Sequence, residues 1–348
     1  NSFNNSDSSL NPLLAGGEGL VEDQSYDGSF SETTTASFSA NFYLGSTDTS
    51  STETTGTGKA TDNDLDDSIT AGYDFGISLN TSFTGEDSLD ITIDAGNAGG
   101  AGYAEFDGDD TSDKLTVDGV SYTFPVGGAT VIVGDNTDGS ALFTTACTYG
   151  GPSNQLDDCG NVNAGITNGG LMVGAAYDFD NGFTAAVGYA GPEGAVLTEE
   201  SKDAYGANVA YTGDNYGVSL TYGVIETSAT NDDSFTAINA YYTPDGSLPS
   251  FSIGYEVGDI GGAVATEDEK ESFFVGLQWD EVGPGTAGVA LGHSNTLEGA
   301  EEAYMYEAYY SYPINDGMTI TPLVFVKENK TAGQDDTTGL MVKTSFSF

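Results

Sequence analysis

Phe183-Thr184-Ala185-Ala186-Val187-Gly188-Tyr189 and Tyr216-Gly217-Val218-Ser219-Leu220-Thr221-Tyr222-Gly223-Val224 carry an apolar side chain at every second position. Phe183, Ala185, Val187 and Tyr189 share one face of an extended chain, and Tyr216, Val218, Leu220, Tyr222 and Val224 do the same. The opposite faces carry only Gly, Ala, Ser and Thr. Successive side chains of a strand point to opposite sides, so a period of two reads as a strand with one apolar and one small or polar surface. The same alternation recurs at Leu89/Ile91/Ile93/Ala95, Leu171/Val173/Ala175/Tyr177/Phe179, Tyr205/Ala207/Val209/Tyr211, Phe251/Ile253/Tyr255/Val257 and Phe273/Val275/Leu277/Trp279.

Outward from these, about 16 such segments cover 33–44, 68–81, 87–97, 114–124, 128–134, 169–179, 182–190, 203–213, 215–225, 233–243, 249–257, 271–281, 285–293, 302–312, 318–328 and 338–348. Most exceed the roughly 5–6 residues of an ordinary globular strand and match what a tilted strand needs to cross a bilayer. The breaks alternate in length. Those at Asp180-Asn181, Asp214 and 313–317 are short, whereas 45–67, 98–113, 135–168, 191–202, 258–270 and 294–301 are long. Short turns on one side and long loops on the other predict an all-β, transmembrane antiparallel β-barrel over 33–348, with both termini on the periplasmic side of an outer membrane and lipid against its wall. Phe124, Tyr177, Phe179, Phe183, Tyr211, Tyr216 and Trp279 would lie at one rim, and Tyr189, Tyr205 and Tyr222 at the other, as interfacial girdles require. Residues 1–32, rich in Asn, Ser, Gly, Asp and Glu, read as a periplasmic linker.

Composition narrows the function. The chain has 54 acidic residues against 7 lysines and no arginine, a net charge of −47. Nucleic acid is thereby excluded as a partner, because phosphate binding needs Lys and Arg. Self-repulsion on this scale is absorbed either by salty surroundings that screen charge beyond about 10 Å or by a surface and pore that attract cations. No run of about 20 apolar residues exists, so no helix spans a membrane. Cys147 and Cys159 stand alone, without further Cys or a nearby His, which favours a disulfide over zinc.

Ser31-Glu32-Thr33-Thr34-Thr35-Ala36-Ser37-Phe38-Ser39-Ala40, Leu79-Asn80-Thr81-Ser82-Phe83-Thr84-Gly85-Glu86-Asp87-Ser88-Leu89 leading into Ala95-Gly96-Asn97, Tyr122-Thr123-Phe124-Pro125 and the closing Phe348 resemble the porins of cyanobacterial outer membranes. The likeness covers roughly 31–348. It implies a homotrimer and a water-filled channel. The family's S-layer-homology domain, which would link the barrel to peptidoglycan, has no counterpart in this sequence. The family also tends to place basic residues on the strand after Thr-Gly-Glu-Asp. Here that strand reads Leu89-Asp90-Ile91-Thr92-Ile93-Asp94-Ala95, so an acidic, cation-preferring, marine-type member is expected.

If the leucines and isoleucines face lipid, Asp90, Thr92 and Asp94 face the lumen, either as a merely solvated wall or as groups that raise the local cation concentration. In sixteen-stranded porins the loop after the fifth strand commonly folds inward. Here that loop, 135–168, holds Asp135, Asp138, Asp157, Asp158 and both cysteines. A Cys147–Cys159 bridge would stiffen a constriction, or the loop stays outside as a surface lid. No cofactor is expected. Asp62-Asn63-Asp64-Leu65-Asp66-Asp67 and Asp107-Gly108-Asp109-Asp110 lack EF-hand spacing, leaving at most weak Ca²⁺ bridging. His293 is the only histidine and has no partner Cys or second His, which argues against a metal site or a catalytic triad there, and no enzyme is expected. The expected function is passive diffusion of inorganic ions and small hydrophilic solutes. The alternatives are a solute-specific channel, which the lack of Arg and the small number of lumen-facing aromatics disfavour, and an envelope-structural or surface-recognition barrel of low conductance.

Overall fold

A computed structural model defines residues 34–48, 52–54, 60–62, 68–106, 108–166, 170–198, 202–262, 268–331 and 334–348. The expected linker 1–32, the acidic run 63–67 and Asp107 lie outside these residues. The strands are β1 (Thr34–Asp48), β2 (Thr52–Thr54), β3 (Ala60–Asp62), β4 (Thr70–Thr81), β5 (Ser88–Gly96), β6 (Thr116–Val126), β7 (Ala129–Asp135), β8 (Leu171–Asp178), β9 (Phe183–Gly191), β10 (Ala204–Thr212), β11 (Tyr216–Ser228), β12 (Asn231–Tyr242), β13 (Ser250–Asp259), β14 (Glu269–Val282), β15 (Gly285–Leu297), β16 (Met305–Asn315), β17 (Met318–Lys327) and β18 (Thr337–Ser347). β2 and β3 form a separate hairpin inside the first long loop. The other sixteen close into one antiparallel barrel, each strand beside its sequence neighbours and β1 against β18. Closure removes the exposed edges that a sheet of this length would otherwise present. The last residue completes the seam. Phe38 and Phe348 exchange both backbone hydrogen bonds, at 2.8 and 3.0 Å, and their rings stack at 5.7 Å.

Connections at one end are tight: 82–87, 127–128, 179–182, 213–215, 243–249, 283–284 and 316–317. Gly127 and Gly128 both have positive φ, at 57° and 92°, the backbone that lets a two-residue turn follow the twist of its strands. The other end carries 49–69, 97–115, 136–170, 192–203, 260–268, 298–304 and 328–336. The connection at 229–230 departs from this pattern. There β11 and β12 run on past the neighbouring strands and close in a tight turn, so the acidic stretch Glu226 to Asp233 is largely ladder rather than loop.

The register sorts the faces. Phe42, Val187, Val209, Val218, Leu220, Ile238, Val289, Val324 and Leu340 point outward and are exposed. Their alternates point inward, among them Asn208, Ser219, Thr221, Asn239, Ser252 and Glu256, all buried. Aromatic rings gather at the short-turn rim: Tyr122 with Phe124, Tyr177 with Phe179, and Phe183 with Tyr211 and then Tyr216, at centroid distances of 4.9 to 5.5 Å.

At that rim the Thr-Ser-Phe-Thr-Gly-Glu-Asp run forms the turn 82–87 around one carboxylate. Asp87 Oδ1 accepts hydrogen bonds from Ser82 Oγ (2.7 Å), Phe83 N (2.9 Å), Thr84 N (2.8 Å) and Thr84 Oγ1 (2.8 Å), and Oδ2 accepts one from the Tyr122 hydroxyl at 2.5 Å. The Tyr122 hydrogen bond, helped by those from Thr84 and Ser82, outweighs desolvation and holds Asp87 well below the usual carboxylate range. Such a depressed group stabilises the fold fully above its unfolded value of about 3.9 and ceases to do so as pH falls toward the folded one. The stability lost in Asp87→Asn is therefore expected to be constant from pH 7 to about pH 5 and to shrink below about pH 4. Urea unfolding of both proteins across that range measures it.

Candidate pore constriction

The long loop after β7 turns into the barrel and follows its inner wall. Four of its backbone N–H groups, at every second residue, donate to inward side chains of successive parts of the wall. Thr144 N reaches Asn208 Oδ1 on β10 (2.9 Å), Ala146 N reaches Ser219 Oγ on β11 (2.9 Å), Thr148 N reaches Ser252 Oγ on β13 (3.0 Å) and Gly150 N reaches Gln278 Oε1 on β14 (2.7 Å). On the return, Cys159 O accepts from Asn239 Nδ2 of β12 at 2.8 Å. Asn163 N and Ala164 N both donate to Glu256 Oε2 at 2.8 Å, and Asn163 Nδ2 donates to Oε1 at 2.7 Å. The loop is thus held as an extra extended strand would be, with wall side chains replacing a neighbouring backbone.

Glycines bring it close. Gly174, Gly188, Gly206 and Gly223 stand in register across β8, β9, β10 and β11, on the inward face. A Cβ at Gly188 would lie 1.8 Å from Gly139 O, and one at Gly254 would lie 1.8 Å from Cys159 O. Both contacts are with loop backbone, so only glycine permits this approach.

A second loop, 97–115, also turns in, which the sequence reading does not anticipate. Its short 3₁₀ segment Ala101–Phe106 packs on the inward face of β1, β4 and β18, with Tyr103 stacked on Tyr43 at 5.6 Å. Asp74 Oδ2 accepts from the Tyr43 hydroxyl (2.5 Å) and from Asp109 N (3.3 Å). The two loops meet where Asn154 N donates to Glu105 O at 2.8 Å, and Glu105 pairs with Lys327 of β17 at 3.1 Å.

Under the loops the inner wall is a protein core. Phe274, Met305, Tyr309, Leu323, Phe325 and Met341 join Tyr43, Tyr103, Phe106, Tyr149 and Leu156 in one buried cluster. The expectation of few inward aromatics is corrected here. Phe274 sits beside outward Phe273, so apolar residues occupy both faces of β14, and the reason is the cover that the loops supply. Within this core Tyr149 donates to Glu307 Oε1 at 2.5 Å and Tyr309 to Gln278 Oε1 at 2.8 Å.

Asp90, Thr92 and Asp94 pair with Asn80, Ser78 and Gly76, on the parity of Asp74 and Asn41, and so stand on the inward face of β5, a wall that the second loop meets at its far end, where Gly96 N donates to Thr111 Oγ1 at 3.0 Å and Asp109 N to Asp74. Asp157 and Asp158 are exposed on the loop after β7, and Asp138 lies near its start. Asp135 must be reassigned: it ends β7 and shares the outward parity of Val131 and Val133, because the ladder with β6 runs one pair past the expected boundary. Cys147 and Cys159 are joined in a disulfide across the two limbs of the loop. His293 is buried on the outward parity of Val289 and Leu291, hydrogen-bonded through Nδ1 to Thr296 Oγ1 (2.8 Å) and covered by Tyr304. Lys343 is the inward lysine of β18, with its ammonium 5.6 Å from the Tyr43 ring.

No family model matches the sequence, and no curated protein matches it significantly. Solved structures do resemble the fold. OprB of Pseudomonas putida at high pH superposes with a TM-score of 0.63 at 13% identity, covering 91% of this chain and 94% of that one. An anion-selective porin from Comamonas acidovorans gives 0.63 at 14%, covering 91% and 99%. A mutant of the Rh. blastica porin gives 0.60 at 15%, covering 90% and 100%.

Proposed function

We propose that the protein is an outer-membrane porin, a water-filled barrel through which inorganic ions and small hydrophilic solutes diffuse passively, with a preference for cations. The observation that carries this reading is the inversion of the usual arrangement: an exposed apolar wall outside, and inside it two inward loops beside a half-buried acidic strand face, that of Asp90 and Asp94. An apolar exterior on a barrel closed by antiparallel ladders suits hydrocarbon rather than water. The barrel architecture shared with porin structures supports it. A homotrimer with both termini periplasmic is the assembly proposed with it.

Cation preference rests on charge. Asp90 and Asp94 stand on the inner wall, and Asp157 and Asp158 on the free surface of the loop, while inward Lys327 is already paired with Glu105. Carboxylates about 4 Å from a passing monovalent ion contribute on the order of 1 kcal/mol each in bulk water and more in a narrow lumen. The second inward loop favours a variant of this reading, a narrow channel of low conductance. Single-channel recording in a planar bilayer under a KCl gradient tests both. A stable open state whose reversal potential favours K⁺ is expected. Asp90→Asn/Asp94→Asn is expected to lower the K⁺/Cl⁻ permeability ratio severalfold with little change in conductance. A Cl⁻ preference in the unaltered protein would overturn the charge argument, and failure to conduct would overturn the channel.

A further inference from the structure

The two inward loops meet at Glu105, whose side chain and backbone have different partners. Its carboxylate pairs with Lys327 Nζ at 3.1 Å, and its carbonyl accepts from Asn154 N, at the tip of the loop after β7, at 2.8 Å. Lys327 lies on β17, on the inward parity of Leu323 and Phe325 and opposite buried Met305. Two lysines make ion pairs among the described residues. Lys330 pairs with Glu328 within one connection, whereas Lys327 reaches a residue 222 positions away. With 7 lysines in the chain an inward ammonium is a scarce group, and this one stands where Glu307 feels the charges of both Glu105 and Asp157.

The rest of each loop is held independently of this contact. Tyr103 and Phe106, on either side of Glu105, are buried in the core, and the start of their segment is pressed on β1, where a Cβ at Gly45 would lie 2.0 Å from Gly102 O. What the ion pair fixes is therefore Glu105 itself, and with it the direction of its carbonyl. On the other loop, Gly150 N is bonded to Gln278, Cys159 O accepts from Asn239, and the Cys147–Cys159 disulfide closes the base of the tip. Between these points Leu156 is buried in the core, and Asn154, exposed, rests on Glu105. With its ends tethered, a tip released from Glu105 cannot leave the barrel and moves within the lumen.

We propose that Lys327 is a positioning residue of the constriction. It holds the Glu105 carboxylate, Glu105 in turn presents its carbonyl to Asn154, and the two loops thereby act as one rigid unit. Charge is what the position requires. Glu105 keeps 14% of its side-chain surface, so without an ammonium it is a largely desolvated carboxylate near two others, an arrangement that turning toward water relieves. Lys327 keeps 42%, so the pair remains open to screening by salt. The effect on current rests on the pore reading, whereas the coupling of the loops does not.

Hydrogen exchange and bilayer recording test it on Lys327→Met, which keeps the aliphatic stem, on Glu105→Gln, and on Lys327→Arg, which keeps the charge. Exchange at Asn154 in the folded barrel in detergent is expected to accelerate roughly tenfold in the first two, the scale of one charge-assisted contact, and to stay near the unaltered rate in Lys327→Arg. Exchange at Ala146 and Thr148, bonded to Ser219 and Ser252, should not change. In recordings Lys327→Met and Glu105→Gln should both show brief partial blocks severalfold more often than the unaltered protein, and Lys327→Arg should not. These two variants change the net charge in opposite directions. A field effect on permeation would therefore have opposite signs in them, whereas a lost positioning contact gives blocks in both. Raising KCl should increase the blocks of the unaltered protein and leave those of Lys327→Met as they are. Heat-modifiable gel mobility verifies that each variant is a folded barrel. Unchanged exchange at Asn154 in Lys327→Met and Glu105→Gln overturns the proposal, as do blocks in only one of them or a Lys327→Arg barrel that behaves like Lys327→Met. Faster exchange at Asn154 in a barrel that carries no current would uphold the coupling and overturn the pore. A steady K⁺-selective current with unchanged exchange would do the reverse.

Discussion

Gly188→Val combined with Gly254→Val is expected to lift the loop after β7 from the wall and raise the single-channel conductance severalfold. Each added Cβ would stand 1.8 Å from a loop carbonyl, that of Gly139 or Cys159, where real contacts are essentially never under 3.0 Å. Something must move by more than an ångström at both ends of the docked segment. Two candidates can move, the loop and the barrel. The loop is held by individual hydrogen bonds of about 0.5–1.5 kcal/mol each. The barrel is a closed ladder in which displacing one strand disturbs both neighbours around the whole ring. Overpacking of even a methylene costs about 1–3 kcal/mol, and two backbone collisions exceed that. The loop therefore yields. Heat-modifiable mobility should remain that of a folded barrel while the conductance rises. Unchanged conductance in a folded double variant would mean that the loop does not set the bore.

Glu256→Ala is the second large effect, and it should free the far limb of the loop while leaving the near limb docked. The carboxylate is only 1% exposed and accepts from Asn163 N, Ala164 N and Asn163 Nδ2. Alanine removes the acceptor of two loop amides at once. Each orphaned buried donor costs about 1–3 kcal/mol, so docking of this limb weakens by about 2–6 kcal/mol. Since about 1.4 kcal/mol is a factor of ten, hydrogen exchange at Asn163 and Ala164 should accelerate by roughly 30-fold at the least. Exchange at Ala146 and Thr148, bonded to Ser219 and Ser252, should change far less. Glu256→Gln keeps one acceptor oxygen for those amides and is expected to fall between the two. Uniform acceleration along the whole loop would show that it docks as a single cooperative unit.

Strand identity in this protein is a local matter, and the sequence determined it. The period of two at Phe183 to Tyr189 or Tyr216 to Val224 follows from side-chain direction alone, since adjacent residues of an extended chain must face opposite ways. Sixteen alternating segments, with tight turns at one end and long loops at the other, therefore sufficed for the barrel. The inward parity of Asp90 and Asp94 followed from the same rule. Asp135 escaped it because strand ends are fixed by the partner strand, and β6 offered one more pair than the apolar pattern of β7 implied.

What covers a face is a different question, and only the tertiary structure decided it. Alternation assigns Phe274, Met305, Leu323 and Met341 to the inside of the barrel without saying whether water or protein meets them there. Two loops fill that space, and their anchors are single residues brought together from far along the chain, such as Tyr149 with Glu307 or Asn163 with Glu256. Gly174, Gly188, Gly206 and Gly223 are unremarkable among 49 glycines until the ladder sets them side by side. The join at Glu105 depends on the same placement. Lys327, Glu105 and Asn154 are distant in sequence, and they meet only because both loops are pressed against the wall.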